Sequence, residues 1–156
     1  MRRHVLDVAS DISYDIIMMR LVIDTDVLFA AFHSPSGASR SLLLELLDGK
    51  ATLLLSPTLM VEYEAVLTRP KNLALFGIGI ADVLAVLDEL AALCVPVAFD
   101  YRWRPAANDP DDDHVLETAI NGVADMIASF NLTDLAAGAR PFGIAVERPV
   151  DVLRRL

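Results

Sequence analysis

The sequence predicts an α/β fold, a three-layer α/β/α sandwich around a central, mainly parallel sheet of about five strands. Three observations carry this expectation. Short runs such as Leu21-Val22-Ile23, Leu53-Leu54-Leu55 and Met126-Ile127-Ala128 are apolar throughout, as strands buried on both faces are. Segments with apolar residues at helical spacing separate them. Strands alternating with helices imply right-handed crossovers, and therefore helices on both faces of the sheet.

The first strand, Leu21-Val22-Ile23, ends in the polar group Asp24-Thr25-Asp26. Ser34-Pro35-Ser36-Gly37 breaks the chain. A helix from about Ala38 to Asp48 puts Leu42, Leu43, Leu46 and Leu47 on one face, with Gly49 as its stop. Leu53-Leu54-Leu55 is the second strand. Ser56 then serves as N-cap and Pro57 as first helical residue of a helix whose stripe is Leu59, Tyr63, Val66 and Leu67. Arg69-Pro70 ends it. A further helix over about Ile80 to Leu93 carries Val83, Leu84, Leu87 and Leu90, and Val95 to Phe99 is the third strand. After a loop from Asp100 to Asn108, Asp109-Pro110 opens a helix with Leu116, Ala119, Ile120 and Val123 on one face. Met126-Ile127-Ala128 is the fourth strand, ending in Ser129 and Asn131. Ile144-Ala145-Val146 is a short fifth strand, and Val150 to Leu156 a terminal helix.

A chain of 156 residues without repeats, low-complexity tracts or a linker fits one domain with a sizeable core. Residues 19–156 form that domain. Residues 1–18 are read as an N-terminal extension, a start-site artefact being the alternative. Asp7, Asp11 and Asp15 interrupt any continuous apolar stretch there, so the segment is not a secretory signal. Apolar residues make up 54% of the chain, yet no run reaches the roughly 18 residues of a membrane span. The expected location is the cytoplasm. One cysteine, Cys94, excludes an internal disulfide and a cysteine-based zinc cluster, and its setting Leu93-Cys94-Val95 suggests a buried core thiol. The net charge of −9 opposes sequence-independent binding of phosphates through a basic surface. Such a chain can still act on RNA if its acids gather around cations and its few arginines line the approach, or it can act on something else; charge alone leaves both open.

Ligands of open parallel sheets bind beyond the carboxyl ends of the strands. Asp24 and Asp26 stand at the end of the first strand, Ser129 and Asn131 at the end of the fourth. Glu62 and Asp112 lie near the starts of helices that follow strand ends. Folding would bring these to one edge, where several carboxylates repel unless a cation neutralises them. Hard oxygen ligands without cysteine or a histidine pair suit Mg²⁺ or Mn²⁺. Singly, each acid has a plainer explanation: Asp24 as a turn or cap former, Glu62 as a solvated helix acid, Asp109 as an N-cap and Asp111 as a partner of the helix dipole. Asp112 and Asp113 extend the buried stripe of Leu116 toward the helix start, where unpaired carboxylates are costly. Capping accounts for one or two of the four acids within Asp109 to Asp113, and a metal would account for the rest.

The segment Val22-Ile23-Asp24-Thr25-Asp26-Val27-Leu28 resembles the opening motif of PIN-domain nucleases, with Asp26 where Asn is usual. Ser34-Pro35-Ser36-Gly37, Leu55-Ser56-Pro57 with Glu62-Tyr63, and Val66-Leu67-Thr68-Arg69-Pro70 are similar to the branch holding the toxins of toxin–antitoxin pairs. So are Arg102-Trp103-Arg104-Pro105, Asp109-Pro110-Asp111-Asp112-Asp113 with Val115-Leu116-Glu117, and Ser129-Phe130-Asn131-Leu132. The resemblance spans about residues 20–156. It implies a PIN-like fold, metal-dependent cleavage of RNA, a cognate antitoxin and a homodimer. It further implies metal carboxylates at Asp24, Glu62 and Asp112, with Asp113 competing for the third place. The fourth acidic position of many relatives falls on Asn131, a departure for which Asp134 or Asp109 would compensate. Ser129 matches the usual Ser or Thr that positions water or phosphate.

Contacts to RNA would rest on Arg40, Arg69, Lys71, Arg102 and Arg104, with Trp103 either stacking on a base or packing under its loop. His114, alone at a helix start, reads as a surface residue. Two other readings stay open here. Asp24-Thr25-Asp26-Val27 also fits the strand-end nucleophile of a haloacid-dehalogenase-type phosphatase, with Lys71 as the phosphate-holding lysine. Alternatively, Asn131 marks a PIN fold whose site has decayed into an interaction module.

Overall fold

The computed structural model describes residues 18–99 and 113–156, Asp113 by its backbone alone. Its chain order is β1 (Arg20–Ile23), α1 (Thr25–His33), α2 (Ala38–Leu47), β2 (Thr52–Leu55), α3 (Pro57–Leu67), α4 (Pro70–Phe76), α5 (Ile80–Leu93), β3 (Val95–Pro96), α6 (Asp113–Asn121), β4 (Met126–Ala128), α7 (Leu132–Ala139), a 3-10 turn (Arg140–Phe142), β5 (Ala145–Glu147) and α8 (Pro149–Leu153).

The five strands form one parallel sheet in the order β3-β2-β1-β4-β5. Leu21 pairs with Leu53 on one side and with Met126 on the other, which makes β1 the centre. The chain moves outward from β1 to β3, then returns to lay β4 against the opposite side of β1. Right-handed crossovers then put α1 to α5 on one face and α6 and α7 on the other. The packing agrees: α1 touches α2 and α3, α2 touches α8, and α6 touches α7, β1, β2 and β4. The expected three-layer α/β/α architecture is what the chain adopts.

The strand cores Leu21-Val22-Ile23, Leu53-Leu54-Leu55 and Met126-Ile127-Ala128 are buried throughout. Ser56 caps α3 as its position predicts, its Oγ accepting from the Leu59 amide at 3.2 Å. Gly49 closes α2 with φ +75°, a conformation that an L-residue with a Cβ resists. Helix α6 is buried from Val115 to Ala119 without interruption. A one-sided stripe therefore understates it, because sheet and neighbouring helices enclose it.

Several boundaries differ from the sequence expectation. Helices α1, α4 and α7 are additional. In α1 the buried Val27, Leu28, Ala31 and Phe32 have helical spacing, but the preceding acids read as the end of a strand. Pro70, expected only to end α3, also supplies the first residue of α4. The third strand is two residues long rather than reaching Phe99. The fifth lies one residue later than expected, and α8 spans Pro149–Leu153 rather than Val150 to Leu156. Val123 is not on the α6 stripe: it follows the helix, 74% exposed, with φ +53°. Cys94 ends α5 only partly buried, its Sγ 3.3 Å from the Ala91 carbonyl, although burial still pushes its thiol up. The loop from Asp100 to Asn108 and the Asp109-Pro110 start lie outside the described residues. No described helix is long and apolar enough to cross a membrane.

Candidate active site

The sheet order reverses between β1 and β4, so a crevice opens beyond the carboxyl ends of these two strands. Asp24 follows β1 directly and is 6% exposed. Its amide continues the ladder by donating to the Ala128 carbonyl at 2.9 Å. It occupies the N-cap position of α1, yet its carboxylate makes no capping hydrogen bond. Instead, Oδ2 accepts from the Ser129 hydroxyl at 2.6 Å, across the β1–β4 boundary.

Ser129 is fully buried and tied on three sides. Its amide donates to the Glu147 carbonyl at 3.0 Å, its hydroxyl to Asp24, and its Oγ accepts from the Asn131 amide at 2.8 Å. Asn131 is the N-cap residue of α7. Asp26, in the first turn of α1, accepts from the Phe130 amide through Oδ2 at 3.1 Å. Asp134 is half-buried in the first turn of α7.

Glu62 arrives from the middle of α3, half-buried, with Oε2 accepting from the Thr25 hydroxyl. The adjacent Tyr63 is wholly buried and donates its hydroxyl to the Ile23 carbonyl, which locks α3 against the end of β1. Burial, then the charges of Asp24 and Glu62, hold the Tyr63 phenol well above its ordinary range, so it acts as a neutral donor. The Asp24 carboxyl is raised from its ordinary 3.8 chiefly by burial. Glu62 adds to the rise, while the Ser129 hydroxyl and the Thr25 and Asp26 amides oppose it.

Two hard oxygen donors, each oriented by a hydroxyl, thus meet at a buried edge without a cationic partner among the described residues. That donor set fits Mg²⁺ or Mn²⁺. No group of three or more potential ligands is assembled within the described residues. A third carboxylate would come from the stretch that holds Asp109 and Asp112, which lies outside them, as does the side chain of Asp113.

Of the expected RNA contacts, Arg40 donates Nε to the Ala31 carbonyl at 2.6 Å, bracing α2 against α1. Arg69 and Lys71 are exposed at the start of α4. Arg102, Trp103 and Arg104 lie outside the described residues. His114 is half-buried rather than a plain surface residue, and shares a groove of about 380 Å³ with Pro57, Thr58, Val61, Glu62 and Ala65. Three features escaped the sequence reading. Thr25 orients Glu62 and Tyr63 anchors the helix of Glu62 on the end of β1, and the only signal of these roles is that each residue adjoins an acid in the chain. Glu117 is 2% exposed within the fully enclosed part of α6.

Comparison with curated proteins gives no match for this chain. The family model described as the PIN domain matches residues 20–133, which takes in β1 through the start of α7.

Proposed function

The chain belongs to the PIN-domain family, whose members are in general metal-dependent nucleases, and from that premise we propose an endoribonuclease dependent on Mg²⁺ or Mn²⁺. The observation that carries the proposal is the junction of Asp24 and Ser129 at the sheet's switch point, with Glu62 brought to it by α3. Asp24 and Glu62 would hold the metal, joined by Asp112 or, in its place, Asp113. When bound, the cation neutralises these acids, polarises a phosphodiester oxygen and lowers the pKa of an attacking water.

The remaining work belongs to the chain. Ser129 fixes the Asp24 carboxylate through its hydroxyl, and the Asn131 amide fixes Ser129 in turn. Thr25 does the same for Glu62. Preorganisation of this kind spares the site reorientation during the reaction. One ionised carboxylate would orient the water or take its proton. Asn131 in place of a fourth acid argues for one metal, with Asp134 or Asp109 as compensating groups. The phosphatase alternative gains no support from a PIN-domain match.

Within this reading the protein is the toxin of a type II toxin–antitoxin pair, a cytoplasmic homodimer silenced by a cognate antitoxin; the motif resemblance over residues 20–156 supports it. The test is cleavage of a structured RNA pool with Mn²⁺ or Mg²⁺. Wild type should cut, whereas Asp24→Asn, Asp112→Asn and EDTA-treated protein should not. Growth arrest on expression should vanish with Asp24→Asn. Arrest that persists in that variant would favour the decayed interaction module instead.

A further inference from the structure

We propose that Phe130 and Arg148 form a binding subsite for single-stranded RNA beside the Asp24 carboxylate, an inference that rests on the ribonuclease reading. Both residues hang from backbone that surrounds Ser129. Phe130 follows it in the chain, and its amide is anchored on Asp26 Oδ2 at 3.1 Å. Arg148 follows Glu147, whose carbonyl receives the Ser129 amide at 3.0 Å. The Ser129 hydroxyl is in turn 2.6 Å from Asp24. The pair therefore sits at the same carboxyl edge as the acids, displaced toward β5.

Phe130 is 48% exposed although its backbone is fixed, so a large apolar side chain is presented to solvent from a rigid root. With Arg148 it lines a mainly apolar groove of about 300 Å³, lined also by Ala30, Ser34, Gly37 and Val150. That volume suits one nucleoside and sits at the small end of ligand clefts. Among the described residues Arg148 has no carboxylate or carbonyl partner, whereas Arg154 and Arg155 are paired with Asp151 and Glu147. An aromatic face for a base next to an uncommitted guanidinium for a phosphate is the pairing by which single strands are held. In a chain of net charge −9, a cation at the site itself is what an anionic substrate needs. A purely apolar protein contact would not call for Arg148 there.

The test is fluorescence anisotropy of a short fluorescein-labelled RNA of mixed sequence with the full chain in EDTA, so that binding is read without cleavage. Phe130→Ala should weaken binding by roughly 10-fold or more, and Phe130→Tyr should restore it. Phe130→Leu, which keeps the apolar bulk, should behave like the alanine variant; wild-type binding by it would overturn the stacking role. Arg148→Gln should weaken binding and lower the log–log salt slope by about 0.7, the loss of one phosphate contact. Should wild type cleave RNA with Mn²⁺ while these variants match it in Kd and KM, the subsite falls and the ribonuclease stands. A wild type that neither binds nor cleaves RNA removes both. If Phe130→Ala leaves RNA binding intact but dissolves self-association in sedimentation, the groove is a protein contact and the proposal is overturned.

Discussion

Burial, followed by the charge of Glu62, disfavours the ionised form of Asp24, and this has a definite sign for stability. The folded chain binds the Asp24 proton more tightly than the unfolded chain does. Stability contributed by this group is therefore fully present below the ordinary 3.8 and is lost as pH rises through the higher folded value. In EDTA at neutral pH, Asp24→Asn should melt higher than wild type by scanning calorimetry, while RNA cleavage with Mn²⁺ drops about 100-fold or more. The acid limb of cleavage should also move to lower pH as Mn²⁺ is raised, because the cation competes with the proton for the same carboxylate. An acid limb independent of Mn²⁺ would separate Asp24 from metal binding. Ser129→Ala removes a hydroxyl bonded to a buried carboxylate, an interaction of about 1.5–3 kcal/mol. Loss of positioning should lower kcat on the order of 10-fold, and raising Mn²⁺ should recover part of it. Asp24 and Glu62 each have a plainer explanation taken singly in the sequence, and their pairing as candidate ligands comes from strand-end placement together with the motif resemblance. Thr25 and Tyr63 were not legible, since hydroxyls buried for orientation look in sequence like any helix residue.

At the scale of elements, the turn from α6 to β4 is tightly packed. A Cβ on Gly122 would meet the Thr118 carbonyl and a Val97 methyl at 2.9 Å, so only glycine fits between helix and sheet. Arg20 on β1 binds the turn from outside, donating to the Gly122 carbonyl at 2.7 Å and the Val123 carbonyl at 3.2 Å. The strain of this join falls on Val123, a β-branched residue at φ +53° with its side chain in solvent. Val123→Gly should stabilise the chain by about 1 kcal/mol, a rise in Tm of roughly 2–4 °C. Gly122→Ala should cost about 1–3 kcal/mol through overpacking. Thermal unfolding of the two variants checks both signs. Helices with long apolar stripes, α2, α3 and α5, were readable to within a residue or two. Helices α1, α4 and α7 were hidden because the residues opening them (Asp24, Pro70, Asn131) also read as the ends of preceding segments. Helical periodicity could not locate the end of α6, because a positive-φ residue after Gly122 continues the apolar pattern without continuing the helix.

For the whole molecule, the alternation of apolar strands and amphipathic helices was enough to give three layers and a parallel sheet. Strand order was not legible, because the central strands β1, β2 and β4 are alike in being apolar and buried and nothing in their residues names a neighbour. That order is what makes β1 and β4 adjacent and joins Asp24 to Ser129. The acids so gathered raise a further expectation: Mn²⁺ should raise the melting temperature of wild type at neutral pH and leave that of Asp24→Asn unmoved. Equal shifts in both proteins would place the cation elsewhere.

The placement of β4 also bears on when activity arises during synthesis. The hydroxyl that orients Asp24 lies 105 residues after it in the chain, directly past a strand that must slot between β1 and β5. A nascent or truncated chain ending before Ser129 would have its first acid but no working centre. On the ribonuclease reading, such a chain would not cleave the RNA being translated before β4 has been made and docked.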